Sequence, residues 1–276
     1  MGASMRTIAQ LQDMQHTWTL ITGGAGHVGR TAAETILELG GKVILADRHS
    51  EALNAAIEGQ FKDAYAQKRI AIMSVDLAQS SDISEMMREV GTITGGTLNC
   101  LINNAAFVGT DNLTGWCVPF AQQSLETFKA CIDVNLTAPF QISQQACQLM
   151  ARSEHMVKTI INISSIYGVV GPQMDLYAGT DMGNPAAYAV SKAGLMQLTR
   201  WMAPVVAPQI RVNTLLLGGI ERGQPESFSK KYNSKVPLDR MATEEDVKGA
   251  IAYLASQLSN YMTGQTLSLD GGWTAV

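Results

Sequence analysis

Short apolar runs alternate with longer segments whose apolar residues recur at three- and four-residue spacing, from near the start of the chain to its end. The short runs fall at 18–22, 42–47, 69–75, 98–103, 159–164, 210–216 and 265–269. Most are continuous rather than alternating, which is the pattern of strands covered on both faces. The helical pattern falls at 27–39, 50–62, 80–94, 124–152, 187–203 and 244–257. Strand and helix in turn predict βαβ units, and hence an α/β fold on a parallel sheet. Repeats, low-complexity tracts and Pro-rich linkers are absent, so one domain is expected over 17–276, with 1–16 as an N-terminal extension. Two stretches, 171–185 and 217–237, carry no periodicity and exceed ordinary connections, so they are read as substrate loops. Met174, Tyr177, Met182, Phe228 and Tyr232 give them apolar material to close over a ligand.

Glycines cluster where the first strand pattern gives way to the first long helical one. Gly24-x-Gly26-x-x-Gly29 lies within TGGAGHVG, the strand–turn–helix context that a dinucleotide-binding turn requires. Residues without a Cβ let the backbone turn tightly and approach a pyrophosphate, whose charge then meets a helix N-terminus. Gly23, His27 and Val28 complete that turn. Asp47 ends the second strand pattern, 18 residues beyond Gly29. A carboxylate there accepts hydrogen bonds from both ribose hydroxyls and repels a 2′-phosphate, so NAD is expected over NADP. Its neighbour Arg48 pulls the other way, because a guanidinium suits a 2′-phosphate. Asp76, followed by Leu77, comes after the third strand pattern and either reaches the adenine edge or caps the next helix.

Ser165, Tyr188 and Lys192 supply acid–base chemistry downstream. Tyr188 and Lys192 stand four residues apart in a helical segment, which places them on one face a turn apart. An ammonium beside a phenol stabilises the phenolate and brings proton exchange nearer neutrality than the unperturbed value of about 10. That suits a general acid/base for interconverting an alcohol and a carbonyl. Ser165, at the end of a strand pattern with Ser164 as an adjacent competitor, adds a second hydroxyl donor for the oxygen that gains charge.

Composition narrows the function classes. With 46% hydrophobic and 16% charged residues, the 276-residue chain reads as a compact soluble globule. A net charge of −4 without a basic block argues against nucleic acid as a partner. No apolar run approaches the about 20 residues of a membrane-spanning helix, and the first residues lack a signal peptide's apolar core. A cytoplasmic location is therefore expected, with Cys100, Cys117, Cys131 and Cys147 as reduced, buried thiols. Their spacing does not pair as metal ligands, and no metal is expected.

In order and spacing these residues resemble the short-chain dehydrogenases/reductases, specifically the shorter branch of that family. The landmarks run from Thr17 to Gly272: TGGAGHVG, Asp47, Asp76-Leu77, NNAA at 103–106, Asn135, INISS at 161–165, Tyr188-x-x-x-Lys192, RVN at 211–213, GGI at 218–220 and MTGQTLSLDGG at 262–272. The resemblance implies a Rossmann-like, doubly wound sheet of seven parallel strands and an NAD(P)-dependent oxidoreductase. A homotetramer or homodimer built on helices 124–152 and 187–203 and on the last strand edge is implied as well. Ser165 would orient and polarise a carbonyl, Tyr188 would exchange the proton, and Lys192 would tune Tyr188 and hold the nicotinamide ribose. Asn135 would hold a water in a proton relay. Asn103 would bridge strands beside the cofactor, and further cofactor contacts would fall on Ala105, Gly218 and Gly219, and on Ile220 through its backbone. The sequence departs from that branch at His27, where glycine is usual. The resulting Gly-x-x-Gly-x-x-Gly spacing is typical of the extended members, such as sugar-nucleotide epimerases and dehydratases. Ala106 replaces a glycine, Leu217 a proline, and Arg222 a cofactor-binding threonine.

Ser165 and Tyr188 are 23 residues apart, more than is usual in the family, and the surplus at 172–186 belongs to the substrate mouth. Asp175, Tyr177, Thr180, Asp181 and Asn184 offer hydrogen-bonding groups there, so a small polar substrate such as a sugar, sugar acid or sugar derivative is expected. The passage is similar to that of oxidoreductases in nonulosonic-acid and flagellin-glycan pathways, and more loosely to gluconate 5-dehydrogenases. The leading reading is an NAD-preferring oxidoreductase acting on a secondary alcohol or ketone. Its alternatives are a sugar-nucleotide epimerase or dehydratase with tightly held NAD, suggested by the glycine spacing, and a non-catalytic dinucleotide sensor.

Overall fold

The apolar runs become strands β1 (Trp18–Thr22), β2 (Lys42–Asp47), β3 (Ile70–Ser74), β4 (Cys100–Asn103), β5 (Thr159–Ser165), β6 (Arg211–Leu217) and β7 (Thr266–Leu269) in the computed structural model, which describes residues 4–107 and 113–276. All pairings are parallel, in the order β3-β2-β1-β4-β5-β6-β7, giving a seven-stranded sheet. The helices are α1 (Ile8–Gln12), α2 (His27–Glu38), α3 (Ser50–Glu58), α4 (Lys62–Ala66), α5 (Ser80–Ile93), α6 (Leu125–Ile132), α7 (Ala138–Ala151), α8 (Ala186–Val206), α9 (Glu226–Asn233) and α10 (Glu244–Ala255). No helix among the described residues is long and apolar enough to cross a membrane.

Neighbouring strand residues point to opposite faces, and both faces are covered. Leu20, Ile44, Leu101 and Ile160 join Met86 of α5, Ile142 of α7 and Met202 of α8 in one core. Ile21, Leu45, Ile102 and Ile161 join Ile36 of α2 and Ile251 of α10 in the other. This two-sided burial is why the strands read as continuous apolar runs. Strand order reverses direction between β1 and β4, so a crevice opens beyond their carboxyl ends. The segment before β1 is tied to this body, with Met14 fully buried and its N–H donating to the Leu39 carbonyl at 2.9 Å.

Four features differ from the sequence expectation. The 50–62 helix stops at Glu58, with Gly59 closing α3, and resumes as α4. The 124–152 helix is interrupted by a π turn at Asp133–Thr137, where Ala138 N–H reaches the Asp133 carbonyl. Pro139 explains the break, since it has no N–H for the Asn135 carbonyl four residues back. The 217–237 stretch contains α9, a polar helix too short for its Phe228 and Tyr232 to register as a period. Cys117 is exposed rather than buried, although Cys100 and Cys131 lie in the interior.

The two long loops have a small core of their own rather than hanging free. Ile166, Leu176, Phe228, Tyr232, Met241 and Trp273 pack together, with the Tyr232 and Trp273 rings stacked at 4.6 Å. Phe228 and Tyr232 thus anchor the loops instead of facing a ligand, and Met174 is exposed. Only Tyr177 and Met182 of the five apolar loop residues line the crevice.

Candidate active site

The crevice is a cleft of about 710 Å³, within the range of small-molecule sites. One end begins at the β1–α2 turn. Gly23 adopts φ +65°, a conformation closed to most side chains, and a Cβ on Gly29 would overlap the Gly23 carbonyl oxygen. The α2 N-cap, Gly26, has no capping side chain, so first-turn N–H groups face the cleft beside His27 and Val28 without an intrahelical acceptor. That arrangement fits an anionic phosphate group. Asn104 locks the turn in place: its Nδ2 donates to the carbonyls of Thr22 and Gly23, both at 3.0 Å. Sequence reasoning passed over Asn104 in favour of its neighbour, although both stand in NNAA.

Asp47, Arg48, Asp76 and Leu77 line the same end of the cleft. The Asp47 carboxylate also braces the turn, accepting from Ala25 N–H at 3.1 Å and His49 N–H at 3.0 Å. Asp76 does not cap α5, whose N-cap is Gln79; its Oδ1 accepts from Ala78 N–H at 3.0 Å in a local turn. A carboxylate at the tip of β2, a glycine turn and a bare helix N-terminus together form a cradle that suits a dinucleotide.

The chemistry end gathers Ser165, Tyr188 and Lys192, delivered by β5 and α8. The two adjacent serines separate cleanly. Ser164 Oγ donates to the Lys192 carbonyl at 3.0 Å, fixing strand to helix. Burial of the Tyr188 phenol raises its pKa, and the nearby Ser165 hydroxyl offsets this only in part. Lys192 is 3% exposed. Burial lowers its pKa to about 8. Its Nζ donates to the Ile163 carbonyl at 2.9 Å and lies 5.8 Å from the Tyr188 ring centre. Desolvation is the largest influence on both groups, and the ammonium is turned to a carbonyl.

Five predicted residues do not line the cleft. Gly24 and Gly29 pack against the Leu45 side chain and the Gly23 backbone. Gly219 donates its N–H to the Tyr232 hydroxyl at 2.6 Å. Asn103 is 2% exposed and donates to Asn162 Oδ1 at 2.8 Å and Ser143 Oγ at 3.2 Å. Asn135 is fully buried. Its Oδ1 accepts from Phe107 N–H at 2.6 Å, and its Nδ2 donates to Ser191 Oγ at 3.0 Å. Its side chain is thus engaged by protein partners. Ala105, Gly218 and Ile220 do face the cleft.

Beside them, Gln224 braces the loop after β6. Its Nε2 donates to the Ile220 carbonyl at 2.8 Å and its Oε1 accepts from Arg222 N–H at 2.7 Å. Arg222 and His27 meet across the mouth at a common carboxylate oxygen of Glu244, each at 3.4 Å. Burial and then Arg222 hold the His27 imidazole below its usual pKa. Among the described residues, no cluster of three His, Cys, Asp or Glu side chains is placed to hold a metal.

The substrate-side wall combines Tyr167, Tyr177, Met182 and Asn184 with Phe107, Leu113 and Trp116. Tyr167 and the aromatic pair were not foreseen. Of the polar loop residues expected here, Asp175 instead pairs with Lys235 at 3.1 Å, Asp181 is exposed, and Thr180 Oγ1 donates to the Tyr177 carbonyl at 2.8 Å.

Comparison with known proteins agrees with this geometry. A family model described as enoyl-(acyl carrier protein) reductase matches residues 23–274. The post-translational flagellin modification protein A of Campylobacter coli is 31% identical over 258 residues, spanning 92% of this chain and 96% of that one. A short-chain dehydrogenase of Leptospira borgpetersenii with bound NAD+ superimposes with a TM-score of 0.83 at 30% identity, over 99% of this chain and 98% of the other. A gluconate 5-dehydrogenase of Burkholderia cenocepacia in complex with NADP and tartrate gives 0.82 at 25% identity, over 98% and 100%.

Proposed function

The chain belongs to the short-chain dehydrogenase/reductase family of oxidoreductases, and on that premise we propose that it interconverts a secondary alcohol and a ketone on a small, polar, sugar-like metabolite with NAD as preferred cofactor. One observation carries the reading: Ser165, Tyr188 and Lys192 converge on the cleft that also runs past the α2 N-terminus and Asp47.

A nicotinamide cofactor, when bound, supplies the hydride chemistry. Gly23, Gly26, His27 and Val28 would hold its pyrophosphate, Asp47 its adenosine ribose, and Asp76 and Leu77 its adenine. Ala105, Gly218, Ile220 and Lys192 would hold the nicotinamide half. Ser165 Oγ donates to the substrate oxygen and stabilises the charge that develops there. Tyr188 Oη delivers the proton to that oxygen in reduction and takes it away in oxidation. Its upward-shifted pKa keeps the phenol protonated at neutral pH, ready for the reductive direction. Asn135 serves as a positioning residue, fixing Phe107 and the Ser191 hydroxyl next to Lys192. Asn103 serves likewise between β4 and β5.

The test is a screen of NAD and NADP against sugars, polyols, sugar acids and simple alcohols, followed by nicotinamide absorbance. Turnover with a hydroxylated substrate supports the proposal. Tightly bound NAD without net redox change would instead favour an epimerase or dehydratase.

The NAD preference rests on Asp47, because relatives of this fold hold either cofactor. Asp47→Ser is expected to lower the ratio of kcat/KM for NAD over NADP at least about tenfold, by removing the charge that opposes a 2′-phosphate. An unchanged ratio in steady-state kinetics would remove Asp47 from that role.

Assembly as a homotetramer or homodimer is part of the same reading. Phe140 on α7 and Val190, Trp201 and Val205 on α8 are exposed apolar side chains, of the kind that a partner subunit covers. Light scattering coupled to size exclusion is expected to give a dimer or tetramer mass, and a monomer would refute it.

A further inference from the structure

One wall of the cleft holds a polar cluster that the proton chemistry leaves unused. The Tyr167 and Tyr177 hydroxyls are 2.6 Å apart. Burial raises the pKa of both, so both phenols stay neutral, and one of the pair keeps a proton to donate outward. Asn184 itself is the anomaly: its Nδ2 and its Oδ1 are each buried without a hydrogen-bond partner of good geometry. Other polar groups of its loop look elsewhere, with Thr180 turned to the Tyr177 carbonyl and Asp175 to Lys235. The cleft is otherwise apolar on this side, where Phe107 and Trp116 meet edge to face at 5.2 Å.

A buried amide with both ends unpaired destabilises the fold, and such groups persist where a ligand supplies the missing partners. We propose that Asn184, flanked by the Tyr167–Tyr177 pair, is the specificity-determining residue of the site, and that it reads a hydroxyl carried by the substrate beside the reacting carbonyl. This deepens the functional reading above and rests on Ser165 and Tyr188 marking the reacting end. A hydroxyl accepts from Nδ2 and donates to Oδ1, satisfying both atoms at once. A methylene satisfies neither, and a carboxylate can only accept. The aromatic pair suits the C–H face of a hydroxylated ring, so the substrate class is an α-hydroxyketone or the corresponding diol.

Cyclohexanone and 2-hydroxycyclohexanone, reduced with NADH, differ only in the group at issue. The wild-type protein is expected to favour the hydroxyketone in kcat/KM by about tenfold to a hundredfold. Asn184→Leu, of similar volume but without polar atoms, is expected to erase that preference, leave NADH binding unchanged and raise the melting temperature of the ligand-free protein. A preference that survives Asn184→Leu, or a wild type that does not discriminate, overturns the inference. Should that variant fail to fold, Asn184→Ala carries the same test, since it removes both polar atoms, and a preference that survives it overturns the inference. If neither ketone is reduced, titration calorimetry with the same two compounds decides. Selective binding of the hydroxyketone that Asn184→Leu abolishes would uphold the inference while the reductase reading fails, and equal or absent binding would overturn the inference itself.

Discussion

Tyr188→Phe is expected to lower kcat/KM by at least about a hundredfold in both directions while leaving NADH affinity nearly unchanged. The substitution removes one oxygen and keeps the ring, which packs against the cluster formed by Trp116, Cys131 and Ala187. The wall of the cleft is therefore preserved, and so are the glycine turn and the β2 tip that would hold the cofactor. What disappears is the proton exchanged with the substrate oxygen. Steady-state kinetics paired with a fluorescence titration of NADH separates the two effects. Activity within a few-fold of wild type would exclude Tyr188 as the acid/base. A parallel loss of NADH binding would show that the phenol shapes the cofactor site rather than the chemistry.

The sheet was legible wherever the chain punctuates itself. β1 and β2 begin and end as expected because a glycine turn follows Thr22, a Gly40-Gly41 pair precedes Lys42, and a polar run follows Asp47. The helices were legible by period until something other than period intervened: a proline at position 139 opening a π turn, or a helix as short and polar as α9. For the site, spacing sufficed to bring Ser165, Tyr188 and Lys192 into one cleft with the glycine turn. It could not say which polar atoms tertiary partners had already engaged. The Asn135 side chain is taken up by buried neighbours, and Asn103 bridges β4 and β5 through Asn162. Asp175 is likewise drawn off by Lys235, which lies on a loop sixty residues further along. Asn104 stands in the NNAA motif, but its bracing role and that of Gln224 were not legible, because their partners are backbone carbonyls and N–H groups fixed only by the fold.

Lys192→Met is expected to have two opposite effects: turnover falls at least about a hundredfold, while thermal stability near neutral pH rises. The loss of turnover follows from the place of Lys192 beside Tyr188 and from the ribose contact proposed for it. The gain in stability follows from burial. Lys192 is 3% exposed, and desolvation lowers its pKa from the usual 10.5 to about 8. Below pH 8 both the folded and the unfolded chain carry the ammonium, and the folded chain bears its full desolvation penalty, on the order of 3 kcal/mol. As pH rises through 8, the folded state releases the proton first, the unfolded state then holds more protons, and wild-type stability climbs until about 10.5. Cys131, the neighbour whose thiolate would oppose this shift, has a thiol pKa pushed up to about 11 by burial and stays neutral over most of that window. Methionine removes the penalty at every pH but leaves the Ile163 carbonyl without its donor, a loss of about 1 kcal/mol. The net gain of about 2 kcal/mol near pH 7 corresponds to a melting temperature roughly 4–8 °C higher, and the difference should close, then reverse, as pH approaches 10. Thermal melts of both proteins across that range measure it directly. A variant less stable at pH 7, with a gap indifferent to pH, would mean that the ammonium is not desolvated in the fold.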